Sequence, residues 1–260
     1  MNKLTTLFSS SSGNCVLISD GSTNILVDAG VSSNRIIMAL SDVNLDICEI
    51  DAILITHEHT DHIKGIGVLS RNYNIPVYAN NKTMSATIMQ IGDLHDRNIK
   101  IIESGKPFNI RDIEVFPFSI PHDAVAPMGY TVRTEYGIMS VATDTGQITG
   151  SMLNNMSKSD TVLIEANHDV QMLKCGKYPY PLKKRILSDL GHLSNDNAAW
   201  LATQLAIWGT KKIMLGHLSE HNNTEQKAFD AAKKLLEQNN IKVGSDVLLK
   251  VAQKNSICMI

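Results

Sequence analysis

The sequence predicts an α/β protein, because short apolar runs alternate with segments of helical periodicity and several of the runs end directly in a histidine or an aspartate. No repeat, low-complexity tract or Pro/Gly-rich linker interrupts this alternation, so one domain over residues 1–260 is expected. The chain opens with three short strands, Leu4 to Phe8, Cys15 to Ser19 and Thr23 to Asp28, separated by a Ser/Gly-rich loop and an Asp20-Gly21 turn. Ser32 or Ser33 can then cap a helix carrying Ile36, Ile37 and Leu40 on one face, and Ala52 to Ile55 is a buried-type strand. A helix near Ile63 to Asn72, a strand at Pro76 to Ala79, a helix at Lys82 to Ile91 and strands around Ile113 to Phe118 continue the pattern. Gly129 to Thr134 and Ile138 to Thr143 read as a hairpin joined through Glu135-Tyr136-Gly137. Thr161 to Glu165 and Lys212 to Leu215 are further apolar strands, with helices at Asn195 to Trp208 and Thr224 to Asn239.

At 260 residues and 43% hydrophobic content the chain can bury a sizeable core. A formal net charge of −2 excludes binding of polyanions by global charge, so any nucleic-acid contact must be local. Cys15, Cys48, Cys175 and Cys258 lie far apart, which predicts reduced thiols and no zinc knuckle. With no leader-like segment and no apolar run of about 20 residues, a cytoplasmic protein without membrane contact is expected.

The densest chemistry follows the strand Ala52 to Ile55, in Thr56-His57-Glu58-His59-Thr60-Asp61-His62. Imidazoles and a carboxylate on a loop at a strand's end can all turn inward, and they suit Zn²⁺, Mn²⁺ or Fe²⁺. Such a loop cannot complete two coordination spheres alone. Three other residues follow predicted strands in the same way: His122, Asp144 and His217. All three should project from one sheet edge.

Asp28, the loop from His57 to His62, His122, Asp144 and His217 resemble the five motifs of the metallo-β-lactamase-fold superfamily, across nearly the whole chain. The resemblance implies a four-layer αββα sandwich and two divalent metal ions. By it, His57, His59 and His122 hold one ion, Asp61, His62 and His217 hold the other, and Asp144 bridges them. Asp28 would be the carboxylate that orients a ligand histidine. Two metals roughly 3.5–4 Å apart can hold a bridging hydroxide, which predicts hydrolysis without choosing the bond.

Leu163-Ile164-Glu165-Ala166-Asn167-His168 and Gly191-His192-Leu193-Ser194-Asn195 resemble elements of ribonuclease Z-like phosphodiesterases. That resemblance makes His192 the general acid for the leaving oxygen, with Glu165 orienting it; Asp61 and His168 are further catalytic candidates, His168 as a residue that could contact a phosphate. The other reading is that Ser194 or Asn195 caps the next helix with His192 packed beside it, and that His168 fills a polar pocket. His221 reads as a turn residue. Between Lys174 and Leu187 five basic residues occur with no acidic one, interleaved with Tyr178 and Tyr180. Lys177, Tyr178, Lys183 and Arg185 are therefore candidates for nucleic-acid contact, or else part of a solvated helix face. Ser12 and Asn14, in Ser9-Ser10-Ser11-Ser12-Gly13-Asn14, either cradle a phosphate or form a plain polar turn.

The combination of these motifs resembles the bacterial YycJ/WalJ family, which implies a 5′-to-3′ DNA exonuclease using Mn²⁺ or Zn²⁺, with DNA bearing a 5′ phosphate as substrate and a role in mismatch repair. The span from Asp144 to His217 leaves no room for the inserted domain of β-CASP nucleases, and no basic arm for tRNA is evident. A glyoxalase II-like thioesterase or lactonase is the alternative, since it would use the same ligands but leaves Gly191-His192 and the basic segment unexplained. A true metallo-β-lactamase would be expected to carry cysteine at the place of Asp144.

Overall fold

In a computed structural model, which describes residues 2–254 and 256–260, the first half of the chain forms β1 (Lys3–Ser10), β2 (Gly13–Ser19), β3 (Asn24–Val27), α1 (Ser33–Asp42), β4 (Ala52–Leu54), α2 (Thr60–Ile63), α3 (Ile66–Tyr73), β5 (Val77–Ala79), α4 (Asn81–Ile91) and β6 (Ile99–Ile101). The second half forms β7 (Phe108–Ile110), β8 (Ile113–Ser119), β9 (Met128–Thr134), β10 (Gly137–Ala142), α5 (Gly150–Met156), β11 (Thr161–Glu165), α6 (Val170–Cys175), α7 (Tyr180–Ile186), α8 (Asn195–Ile207), β12 (Lys212–Gly216), α9 (Glu225–Gln238), β13 (Leu248–Val251) and β14 (Cys258–Met259). The strands make two seven-stranded sheets, ordered β14-β1-β2-β3-β4-β5-β6 and β13-β12-β11-β10-β9-β8-β7.

Strand side chains alternate between faces, and here both faces are covered, which is why the strands read as continuous apolar runs. Val16, Ile18, Ile25, Val27, Ala52 and Leu54 of the first sheet meet Val115, Tyr130, Val141, Leu163 and Met214 of the second in one cluster. The alternate residues Leu17, Leu26 and Ile53 face outward onto α1 and α3 through Ile36, Leu40, Ile66 and Leu69. On the far side, Val162, Ile164, Ile213 and Leu215 pack on α8 and α9 through Leu201, Leu205, Ala228 and Leu236. The result is the expected order of layers, helix, sheet, sheet, helix.

The differences from expectation are local. The Ser/Gly-rich segment expected as a loop is mostly strand, with Ser10 paired to Gly13 and only Ser11 and Ser12 in the turn. The Asn14 carboxamide oxygen accepts from Ser10 N–H at 3.2 Å and helps close that hairpin. Ser32 sits at the start of α1 without a side-chain cap bond. The helix expected from Ile63 to Asn72 breaks at Gly65, whose N–H reaches Ala29 O at 2.8 Å and where a Cβ would lie 2.6 Å from Val31 O. The short strands β6, β7, β13 and β14 and the helices α5, α6 and α7 have too few residues for a periodicity to be read. All four cysteines are free thiols; Cys15 is buried, and burial, with Asp28 adding to it, pushes its pKa far up. Among the described residues no helix is long and apolar enough to cross a membrane.

Candidate metal centre

Every expected ligand leaves the C-terminal end of a strand, and the two sheets deliver their ends to one rim. Asp28 follows β3 and the His57–His62 segment follows β4 in the first sheet, while His122, Asp144 and His217 follow β8, β10 and β12 in the second. Asp28, Asp144 and His217 take left-handed backbone, with φ of 61°, 56° and 56°. That conformation is uncommon outside glycine and costs about 1–3 kcal/mol per residue. Here it turns the chain sharply at the sheet edge. Gly30 lets the two loops meet: Ala29 N–H donates to His62 O and Gly30 N–H to Asn14 O, and a Cβ on Gly30 would stand 1.6 Å from Asp61 O. Gly30→Ala is therefore expected to displace the Asp61 carbonyl, lower stability by about 1–3 kcal/mol as overpacking does, and reduce bound metal. Denaturant titration with metal analysis checks this.

The donors gather in overlapping groups whose ligand atoms lie within 4.8 Å of one another: His57, His59 and His122; Asp61, His62 and His217; His57, His62 and Asp144; and Asp144, Glu165, His192 and His217. Asp144 stands between the first two. Its Oδ2 lies 3.1 Å from His62 Nε2, and its Oδ1 lies 3.4 Å from His217 Nε2 and 3.7 Å from His122 Nε2. The inner histidines are held from behind through Nδ1. His62 Nδ1 meets Asp28 Oδ2 at 2.7 Å, His217 Nδ1 meets Glu165 Oε1 at 2.9 Å, and His122 Nδ1 meets Gly191 O at 3.0 Å. Thr56 Oγ1 donates to Asp28 Oδ2 at 2.7 Å, so at its 3.0 Å contact with His57 Nδ1 it must accept. Asp28 thus orients two imidazoles, one directly and one through Thr56, and leaves each Nε2 pointing inward.

This donor set fits divalent cations. His122 Nε2, His217 Nε2 and Asp144 Oδ2 are buried with no hydrogen-bond partner among the described residues. Buried lone pairs facing one another are costly unless a cation or proton sits between them. Without a cation, burial alone would raise the Asp144 carboxyl, but His217 and His62 hold it well below the usual range. Burial is likewise outweighed at His217, chiefly by Asp144, and its pKa rises to about 10. His57 goes the other way, driven well below the usual imidazole range by burial and by His62. Cation binding to such a set displaces protons.

A cavity of about 210 Å³ opens over these groups, lined also by Ser11, Tyr178, Leu182, Arg185 and Ser219. His192 lines it, with Nδ1 2.7 Å from Glu165 Oε1 and 3.7 Å from Asp144 Oδ1. Glu165 is fully buried and also accepts from Thr145 N–H at 2.9 Å. Burial would raise its pKa, but the facing His192 and His217 bring it down to about 2. One carboxylate therefore orients both His192 and His217, where sequence reasoning gave it only the first. Ser194 does cap α8, accepting from Asn197 N–H at 3.2 Å, so the two readings of that segment hold together.

Other expected contacts fall elsewhere. His168 is buried and does not line the cavity, its ring nitrogens have no partner among the described residues, and burial holds its pKa down to about 4. Its backbone oxygen accepts from Asn195 N–H at 2.8 Å, so its visible part is to fix the start of α8. Lys177 is exposed and outside the cavity, and Lys183 Nζ donates to Lys174 O at 2.8 Å. Tyr178 and Arg185 do line the cavity, and His221 packs edge-on against Tyr178 at 5.9 Å. Ser12 is exposed at the hairpin turn, and its neighbour Ser11 lines the cavity instead. Asn14 is buried beneath the ligand loop, its amide nitrogen 3.0 Å from His62 Nε2, where it meets the metal loop and not the solvent. Sequence reasoning missed Thr56, Ser9, whose hydroxyl accepts from His217 N–H at 2.9 Å, and Asn167, which lines the cavity and donates to His217 O at 3.1 Å. Thr56 had a signal, since it begins the ligand loop. Ser9, 208 positions from His217, had none.

Comparison with known proteins shows the family of the chain. Residues 23–218 match the model of the β-lactamase superfamily domain. The chain is 42% identical to the exodeoxyribonuclease WalJ of Streptococcus pneumoniae serotype 2 (strain D39) over 246 residues, covering 94% of this chain and 91% of that one. It is 39% identical to the exodeoxyribonuclease YycJ of Bacillus anthracis over 238 residues, covering 92% and 90%. Among solved structures, the metallo-β-lactamase fold protein YhfI from Bacillus subtilis superposes with a TM-score of 0.74 at 16% identity, covering 100% of this chain and 99% of that one, which shows the shared fold. The chain belongs to the β-lactamase superfamily and, within it, to the family of the exodeoxyribonucleases WalJ and YycJ, and it is a metal-dependent hydrolase.

Proposed function

We propose that the protein is a 5′-to-3′ DNA exonuclease that hydrolyses phosphodiesters with two divalent cations, Zn²⁺ or Mn²⁺, with Fe²⁺ as a third candidate. One cation would be held by His57, His59 and His122 and the other by Asp61, His62 and His217, with Asp144 between them. Cations held there supply an activated water and positive charge against the phosphate as negative charge builds on it. The protein supplies the rest. His192, fixed by Glu165 through Nδ1, presents Nε2 to the cavity and protonates the departing sugar oxygen, which is a poor leaving group without a proton. Asp28, Thr56 and Glu165 keep the ligand rings from turning.

The observation that carries this reading is His192, a histidine held like the metal-site imidazoles yet set to one side of both triads and open to the cavity. A thioesterase has less need of such an acid, because a thiolate leaves without a proton. The cavity itself, about 210 Å³, is smaller than the roughly 300–1,000 Å³ of sites that enclose a whole small ligand. It suits a phosphate taken in while the polymer stays outside, against Tyr178 and Arg185. The activity proposed follows that of the relatives, the exodeoxyribonucleases WalJ and YycJ.

The test compares end-labelled DNA and RNA, with and without a 5′ phosphate, against a thioester and a lactone under Mn²⁺, Zn²⁺ and Fe²⁺. Mononucleotides released progressively from 5′-phosphorylated DNA are expected, and thioester or lactone turnover without nuclease activity would replace this reading with the glyoxalase II-like one. Stripping the metal with a chelator is also expected to destabilise the fold. Loss of a ligand present at 100 times its Kd removes about 2.7 kcal/mol, and at about 2–4 °C per kcal/mol for a chain near this size, the melting temperature should fall by roughly 5–10 °C and recover on adding Mn²⁺.

A further inference from the structure

Asp123, the residue after His122, ties the candidate metal centre to the cavity mouth. Its Oδ1 is buried, lies 3.3 Å from His122 Nε2 and has no hydrogen-bond partner among the described residues. Its Oδ2 accepts from Arg185 Nε. That bond uses one of the three guanidinium nitrogens, and the other two make no hydrogen bond among the described residues. Arg185 is about half exposed and lines the cavity.

The backbone around this pair is rigid. Asp123 N–H donates to Leu190 O at 3.0 Å, and His192 N–H donates to Ile186 O at 3.0 Å. Gly191 is wedged so tightly under the end of α7 that a Cβ would lie 2.2 Å from Ile186 O and 2.3 Å from Arg185 O. His122, His192 and Arg185 are therefore mounted on one interlocked set of segments. An isolated carboxylate at this place would repel a phosphate, and a free arginine there would sample many rotamers. Paired through Nε, the carboxylate's charge is offset while the forked end of the guanidinium, which matches two phosphate oxygens, stays open.

We propose that Asp123 is a positioning residue that holds Arg185 over the cavity by its Nε, so that the two terminal nitrogens bind a phosphate beside the scissile bond. The proposal rests on the phosphodiester reading above and assigns the residue through which that site grips its substrate.

The test compares wild type with Asp123→Ala, Asp123→Asn, Arg185→Ala and the double Ala variant, each checked for folding by circular dichroism and for metal content by elemental analysis. Kinetics use a 5′-phosphorylated single-stranded oligonucleotide with Mn²⁺, and binding of the same 3′-labelled strand is read by fluorescence anisotropy on a His192→Ala background. Asp123→Ala and Arg185→Ala are each expected to raise KM and weaken binding about tenfold with kcat changed much less, as loss of a charged contact to the ground state would. The double variant should be no worse than Arg185→Ala, because residues acting through one contact are not additive. Asp123→Asn keeps an acceptor for Nε and should recover most of the affinity. Unchanged KM and binding in Asp123→Ala, fully additive losses, or lost metal in that variant would each overturn the proposal. Wild-type protein that cleaves no nucleic acid would instead remove the nuclease reading, and this one with it.

Discussion

Asp144→Ala is expected to lose at least about 10³-fold in kcat/KM, equivalent to about 4 kcal/mol of transition-state stabilisation, and to bind fewer metal ions per chain. Asp144 is buried and central, with one oxygen toward His62 and the other toward His217 and His122. No neighbour can take its place. Because its φ is 56°, alanine also adds backbone strain, whereas asparagine tolerates that region. Asp144→Asn therefore separates charge from conformation. It should fold with near wild-type stability and still be inactive. Elemental analysis beside the kinetics checks the assignment, and full activity with two bound ions in either variant would dismantle it.

The second large effect is expected at His192. His192→Ala should keep its metal, since His192, although it gathers with Asp144, Glu165 and His217, lies outside both histidine triads and has its Nδ1 engaged by Glu165, yet lose about 10²–10⁴-fold in kcat on DNA, the range for a general acid. On bis(p-nitrophenyl) phosphate, whose leaving group needs no proton, the loss should nearly vanish. Equal losses on both substrates would make His192 a structural prop. Glu165→Gln should be worse on the activated substrate than His192→Ala, because Glu165 also holds His217.

Much of the site was legible because it is written at strand ends. His57 and His217 each follow a continuously apolar run and Asp144 a mostly apolar one, and a run buried on both faces has an unambiguous end. What could not be read depends on which strands become neighbours. Glu165 reaches His217 because β11 and β12 are paired in parallel, with Glu165 opposite Gly216. Ser9 reaches His217 across the two sheets. The basic run looked uniform as text, but the fold spends Lys183 on a carbonyl and brings Arg185 to the cavity. Ser11 and Ser12 differ only in which side of a tight hairpin they occupy.

The ligands are divided between the two sheets, Asp61 and His62 from one and Asp144 and His217 from the other. Ions seated among them would cross-brace the sandwich at one rim, while the opposite rim is tied by polar contacts such as Arg111 to Asp51 at 2.6 Å and Thr134 Oγ1 to Asn2 Oδ1 at 2.6 Å, which hold the layers less firmly than an ion would. Breathing of the layers should then hinge about the loaded end, and amide protons beyond β4 and β12 should gain protection together on loading, although those strands belong to different sheets.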